Sequence, residues 1–396
     1  MAQSAVAETG EHPHFDAMAP LVLEVRWDGT RVLAASVINP RPPAAHLLVG
    51  KTLAEAGALV PKLLGSCGRA QTLAFGMAVR GAGVTDASVP EAWEVERALA
   101  AEMAQEHLWR LMIDWPALFG QPIRRERFAE LHRRLAGARD SRLAFQLGGD
   151  LLDLVVVELL GGFFGSWRGP RGLREFVECA RRGSTVGSTL ADLIELGLST
   201  SEQEAVPILP SLSAGAWAQR FGGVPDDTFC SAPTFGGLAH EAGVLSRHAD
   251  TAHPALLLSH RHRCAARLFA RVIDLSECAS RLRHPLANDM PVIVDSAPLG
   301  ENAGLACVET ARGLLMHAVR VEGGRIAEYA IVAPTEWNFH PEGAFVREAL
   351  DTETASAAAV SLRLKALALA LDPCLPFELR LLDADGAAVD PAVHAQ

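Results

Sequence analysis

The sequence predicts an α+β fold that is mainly α, a helix bundle flanked by small antiparallel sheets. Three observations lead there. Several stretches between residues 52 and 182 carry helical patterns with start and stop signals. Two turn signatures, Asp28-Gly29 and Glu322-Gly323-Gly324, each lie between short apolar runs, and such residues tolerate the positive φ angles of a tight hairpin. The composition, 49% hydrophobic and 21% charged over 396 residues, supplies a sizeable core and speaks against disorder.

In chain order, residues 1 to 17 show no periodicity and read as a flexible tail, followed by one large domain over 18–396. Residues 21–25 and 31–37 form the first hairpin. Residues 52–64 and 69–80 read as helices around a bend at Gly65-Ser66-Cys67-Gly68. Ser88 is a plausible cap for a long helix towards Asp114, which Pro116 should end or kink. Residues 125–135, 143–160 and 172–182 continue the helical part. Residues 183–260, richer in Gly, Ser, Pro and Thr, read as a variable middle region of loops and short strands. A helix is expected over 255–282, a second hairpin over 314–332, and an Ala/Leu-rich helix over 355–371.

The net charge of −11 argues against a nucleic-acid footprint. The arginines at 124, 125, 127, 133 and 134 alternate with Glu126 and Glu130 and read as a solvated helix face. There is no secretory pattern, and the most apolar run, residues 151–165, carries Asp153 and Glu158 and is too short to span a bilayer. A cytoplasmic protein without a membrane partner is expected. Seven scattered cysteines suit a reducing compartment better than a disulfide framework. His253, His260 and His262 near Cys264 match no closed zinc spacing, and Cys264 and Cys278 read as core or surface cysteines on a helix.

Five motifs carry a more specific signal. Glu309-Thr310-Ala311-Arg312-Gly313-Leu314-Leu315-Met316-His317 is followed by the Gly323-Gly324 turn, by Pro334-Thr335-Glu336-Trp337-Asn338 and by Asp372-Pro373-Cys374. Upstream lie Cys67-Gly68 with Gln71, and Met112-Ile113-Asp114-Trp115. In order and spacing these resemble the large subunit of nickel-iron hydrogenases, with its E-A-P-R-G-x-L-x-H, P-(S/T)-T-W-N and D-P-C-x-x-C-x-x-H runs. The resemblance implies a large-subunit-like helix bundle. Leu64, Gln71, Phe377 and Arg380 stand where that family has a cysteine, a histidine, a second cysteine and a final histidine. The family's R-x-E-G motif, with its proton-relay glutamate, has no counterpart before Leu21.

In that register Cys67 matches a thiolate that bridges nickel and iron, and Cys374 one that binds nickel alone. Two of four thiolates remain, too few to hold nickel in the family's way, so no nickel is expected. An iron unit Fe(CN)2(CO), with three positions left, suits a two-thiolate clamp. Arg312 and Thr335 then offer donors to its cyanides, and Asp114 falls near the pocket. Each residue also has a plainer reading: Cys67 as a small buried hydrophobe, Cys374 as a turn cysteine, Asp114 as a cap or arginine partner.

Among relatives of the large subunit, a depleted cysteine set resembles the HupK/HoxV family of hydrogenase expression/formation proteins. That resemblance implies a non-catalytic maturation scaffold. It would hold Fe(CN)2(CO) transiently, working with HypC-type chaperones and the hydrogenase large subunit or its maturation complex. The alternatives are a metal-free mimic that binds assembly chaperones, and a divergent hydrogenase or hydrogen-sensing large subunit.

Overall fold

The computed structural model describes residues 19–40, 44–64, 67–84, 90–138, 140–164, 170–197 and 205–391. The expected tail at 1–17 and the expected cap Ser88 lie outside them. The first hairpin joins β1 (Leu21–Trp27) to β2 (Val32–Ile38), with Val25 opposite Ala35. Asp28 closes the turn by accepting from the N–H groups of Thr30 and Arg31 at 2.8 and 2.9 Å. Every second residue of β1 (Leu21, Leu23, Val25, Trp27) is buried, the period of a half-covered strand. On its other side β1 pairs in parallel with the C-terminal strand β7 (Phe377–Leu382), giving the order β2-β1-β7. The start of the fold is thereby fixed to the backbone just after Cys374: Leu21 N donates to Pro376 O at 2.8 Å.

The helical part begins with α1 (Leu53–Leu63), opened by a capping box between Thr52 and Glu55, then α2 (Gly68–Gly81) and α3 (Ala92–Trp109). Pro116 does not end α3 abruptly. The chain widens into a π-helical segment, Arg110–Asp114, and continues as α4 (Trp115–Leu118) with Pro116 in its first turn. Proline lacks the N–H that would bond the Met112 carbonyl, and Arg124 N donates to that carbonyl instead at 3.3 Å. Helices α5 (Arg125–Ala136) and α6 (Ser141–Asp153) follow, the latter ending in a second π segment, Leu154–Leu159. The arginines of α5 are not simply a solvated face. Arg124 and Arg127 both reach Glu158, each at 3.0 Å, and tie α5 to that second π segment.

The middle region departs from the loops and short strands expected. After α7 (Leu173–Arg182) come α8 (Thr185–Glu195), α9 (Ala214–Phe221), α10 (Asp227–Ser231), α11 (Leu245–His248) and α12 (Ala252–Ser259). These helices are too short for a clear 3.6-residue period, and caps rather than periodicity mark them. Ser213 and Asp226 accept from Ala216 N and Phe229 N at 3.2 and 2.8 Å, while Gly222, at φ +65°, stops α9. The single helix expected over 255–282 is broken at Arg261, whose φ is +62°, and resumes as α13 (Arg263–Arg283).

Four strands then form an antiparallel meander: β3 (Val294–Gly300), β4 (Ala303–Thr310), β5 (Gly313–Glu322) and β6 (Arg325–Val332). Helix α2 lies against β4 so closely that a Cβ on Gly304 would sit 2.1 Å from the Ala78 carbonyl oxygen. After α14 (Pro334–Asn338) and α15 (Ala344–Leu350), α16 (Ala357–Leu371) runs to Asp372, which adopts a left-handed φ of +57° and turns the chain towards Cys374. The largest apolar core is helical and packs around α13. No described helix is long and apolar enough to cross a membrane.

Candidate metal centre

Four of the five residues singled out from the sequence come together as two bonded pairs, Cys67 with Arg312 and Thr335 with Cys374, which Asp372 links. Cys67 is the N-cap of α2 and Arg312 occupies the turn between β4 and β5. Thr335 lies in the first turn of α14, and Cys374 follows the end of α16. Arg312 Nη1 donates to Cys67 Sγ at 3.0 Å, and its Nη2 reaches Glu106 of α3 at 2.5 Å. Cys374 N donates to Thr335 Oγ1 at 3.2 Å, and the threonine hydroxyl also hydrogen-bonds Cys374 Sγ at 2.8 Å, a contact in which either atom can be the donor. Cys374 and Thr335 are buried, whereas Cys67 is partly exposed at a cleft of about 1570 Å³ bordered by α1, α2, α3 and α5.

Asp114 joins at one remove. Its partner is Arg110, one helical turn earlier, and Arg110 in turn donates from Nε to Asp372 at 2.7 Å and from Nη2 to the Pro373 carbonyl at 3.0 Å. Asp372 is the hub of the charged groups: Arg271 Nη2 lies 2.8 Å from it and Arg312 Nε 3.7 Å. Against the penalty of burial, these three guanidinium groups hold its carboxyl well below the usual carboxylate range. Cys67 is moved the other way. Desolvation pushes its thiol far up, Arg312 pulls it back, and Glu106, Glu102 and Cys374 push it higher, so without a ligand it is a neutral thiol.

Residues 244–375 match the family described as nickel-dependent hydrogenase. The chain is also similar to the hydrogenase expression/formation protein HupK of Azotobacter vinelandii, at 31% identity over 92% of this chain and 99% of that one. The chain belongs to the HupK/HoxV family. Hydrogenase expression/formation protein HoxV of Cupriavidus necator is 29% identical over 89% of this chain and 94% of its own. A nickel-iron-selenium hydrogenase from Desulfovibrio vulgaris Hildenborough shares the fold, with TM-score 0.56 and 16% identity over 87% of this chain and 93% of that chain. HupK/HoxV proteins are thus paralogues of the hydrogenase large subunit, as the motifs implied.

The donor set of this HupK/HoxV chain does not fit the four-thiolate nickel-iron pair. Leu64, in one lost cysteine position, packs against the apolar cluster around Val60 and Phe75. Phe377, in the other, packs with Leu21 and Leu23, and Arg380 is exposed and paired with Glu378. Gln71, in the histidine position, has a different partner: His317 Nε2 lies 2.7 Å from its Oε1, and His317 Nδ1 lies 2.6 Å from Tyr329 Oη. A neutral imidazole that donates to Gln71 and accepts from Tyr329 satisfies all three buried groups, and burial pushes the His317 pKa down to about 3.

Sequence reading of the HupK/HoxV chain missed Arg110, Arg271, Glu102 and Glu106. A signal existed for Arg110, four residues before Asp114 on one helix face. Another existed for Arg271, because Arg263, Arg267 and Arg271 recur every four residues along α13, among the Ala, Leu, Phe and Val of its first half. Arg263 and Arg267 pair with Glu241 and Glu348 in a buried ionic cluster. Arg271 Nη1 also donates to His107 Nδ1 at 3.1 Å. His107, Asp274 and Cys278 lie close enough to hold a metal, as do His248, Asp274 and Glu277. Asp274, however, is already held by His107 at 2.6 Å, by His248 at 2.9 Å and by two Arg247 nitrogens at 3.0 and 2.8 Å. That cluster is a buttress, since Arg247 also reaches Glu309 at 2.6 Å and the Thr310 carbonyl at 3.0 Å, steadying the turn that carries Arg312. His253 stacks on Phe269, ring centroids 4.8 Å apart.

Proposed function

We propose that the chain is a non-catalytic scaffold in the maturation of nickel-iron hydrogenase, holding Fe(CN)2(CO) on Cys67 and Cys374 before its transfer to the large subunit. Relatives named as hydrogenase expression/formation proteins support the maturation role. The observation that carries the finer reading is the placement of Arg312. This one buried guanidinium donates to Cys67 Sγ at 3.0 Å and faces Asp372, two residues before Cys374, at 3.7 Å, so it links segments from opposite ends of the chain.

Iron bearing three diatomic ligands has three positions left, and two soft thiolates fill two of them. Arg312 and the Thr335 hydroxyl are the donors able to meet cyanide nitrogens, while Asp114, acting through Arg110 and Asp372, holds the Cys374 segment in place. Ligation by two thiolates rather than four leaves the cargo removable. Cys67, a neutral thiol when empty, must lose its proton as iron arrives, so loading is coupled to proton release. The cleft beside Cys67 gives a HypC-type chaperone access from solvent, in the cytoplasm where the thiols stay reduced.

The test is infrared spectroscopy of the protein purified anaerobically with the maturation machinery. Cyanide and carbonyl stretching bands that vanish in the Cys67→Ser, Cys374→Ser double variant are expected. Bands absent from the native protein would leave a metal-free mimic of the large subunit, and stoichiometric nickel with hydrogen turnover would make the chain an enzyme.

A further inference from the structure

An α-helix leaves its first N–H groups without internal partners, and the side chain of the N-cap residue commonly meets one of them. Helix α2 departs from this. Its N-cap, Cys67, has a left-handed backbone at φ +56° and makes no side-chain bond to the helix. The thiol instead lies against Arg312. The orphaned N–H groups are met from the neighbouring helix: Glu102 of α3 accepts from Arg69 N at 2.8 Å with one oxygen and from Ala70 N at 3.0 Å with the other. The Arg69 side chain then fastens the same turn to the carbonyls of Ala98 at 3.4 Å and Ala136 at 3.3 Å. One turn along α3, Glu106 accepts from Nη2 of Arg312, whose Nη1 donates to Cys67.

We infer that Glu102 is a positioning residue for Cys67. By capping α2 from outside, it frees the N-cap thiol from helix duty and maintains the left-handed backbone that turns Cys67 towards Arg312 and the cargo. A serine or aspartate at 67 would cap the helix but could not offer a soft ligand. Cysteine with an external cap provides both. The inference rests on the reading of Cys67 as an iron ligand, but the capping geometry can be tested apart from it.

Two substitutions separate position from charge. Glu102→Asp keeps the charge and withdraws the carboxylate by one methylene; Glu102→Gln keeps the reach and loses one good acceptor and the charge. The readouts are the alkylation rate of Cys67 by iodoacetamide, quantified peptide by peptide with Cys374 as internal reference, the amide proton shifts of Arg69 and Ala70, and cadmium binding followed by thiolate absorbance. Loss of the cap in Glu102→Asp is expected to speed Cys67 alkylation and weaken cadmium binding, each on the order of tenfold. The two amide protons should move upfield and Cys374 should be unaffected, with Glu102→Gln falling between that variant and the native protein.

Native-like behaviour of Glu102→Asp alongside fast alkylation in Glu102→Gln would show that only charge matters and would overturn the inference. So would native values in both variants. Changed alkylation in a protein whose native form binds no cadmium would uphold the positioning role and sink the ligand reading.

Discussion

Arg312 and Cys67 meet at 3.0 Å, nitrogen to sulfur, and the same guanidinium touches Glu106 at 2.5 Å while facing Asp372 at 3.7 Å. A planar fork can address three groups at fixed angles, which a single ammonium cannot. The thiol beside it is neutral when empty, because burial pushes it up further than Arg312 pulls it down, with Glu106 and Glu102 adding to the rise. Any soft metal that binds this sulfur must therefore displace its proton.

Arg312→Lys keeps the charge and loses the fork. The cyanide and carbonyl bands of the loaded protein should shift and their intensity should fall on the order of tenfold, with stability reduced by about 1–3 kcal/mol as Glu106 loses its close partner. Bands of native position and intensity would remove Arg312 from cargo recognition.

Thr335→Val preserves shape and removes the acceptor for Cys374 N–H. A buried donor left without a partner costs about 1–3 kcal/mol, whereas Thr335→Ser keeps the hydroxyl and should cost less. Urea unfolding of the metal-free protein compares the two. If valine and serine destabilise equally, the hydroxyl does not order the Cys374 segment.

Much of the fold was legible because local chemistry announced it. Asp28-Gly29 and Gly323-Gly324 fixed both hairpins, the latter pair adopting φ of +55° and +76°. The convergence of Cys67, Arg312, Thr335 and Cys374 was legible only through the family resemblance, since no periodicity links residues so far apart. Partners such as Arg271 for Asp372, or Glu102 for the start of α2, depend on how helices cross, and a single sequence does not encode that visibly. The short helices between 185 and 259 were hidden for another reason: four to eleven residues give too few turns to register a period.

Gly313 makes the Arg312 turn possible. Its φ is +120°, and a Cβ there would fall 1.5 Å from the Ala242 carbonyl oxygen, which is backbone and cannot step aside. Gly313→Ala should lower stability by about 3–5 kcal/mol through strain and displacement of the 242–243 segment. Thermal unfolding checks this, and a loss below about 1 kcal/mol would mean that the turn relaxes easily.

His317 sets a pH dependence unrelated to iron. The unfolded chain takes up a proton at this residue near pH 6.5, while the folded state, with the imidazole buried between Gln71 and Tyr329, resists until about pH 3. Through that window the unfolded state binds more protons, so stability falls as pH falls, with this residue contributing up to roughly 1.4 kcal/mol per pH unit. His107, His132, His253, His262 and His340 are pushed the same way by burial, so His317→Gln should remove one proton's share of the slope and leave the rest. Urea unfolding between about pH 6.5 and 5.5 stays above the range where Asp372 and Glu241, both held low by arginines in the folded protein, begin to add their own loss as the unfolded carboxyls take up protons. A variant with the native slope in that range would show that His317 accepts its proton in the folded protein, with the Gln71 and Tyr329 contacts rearranging to admit it.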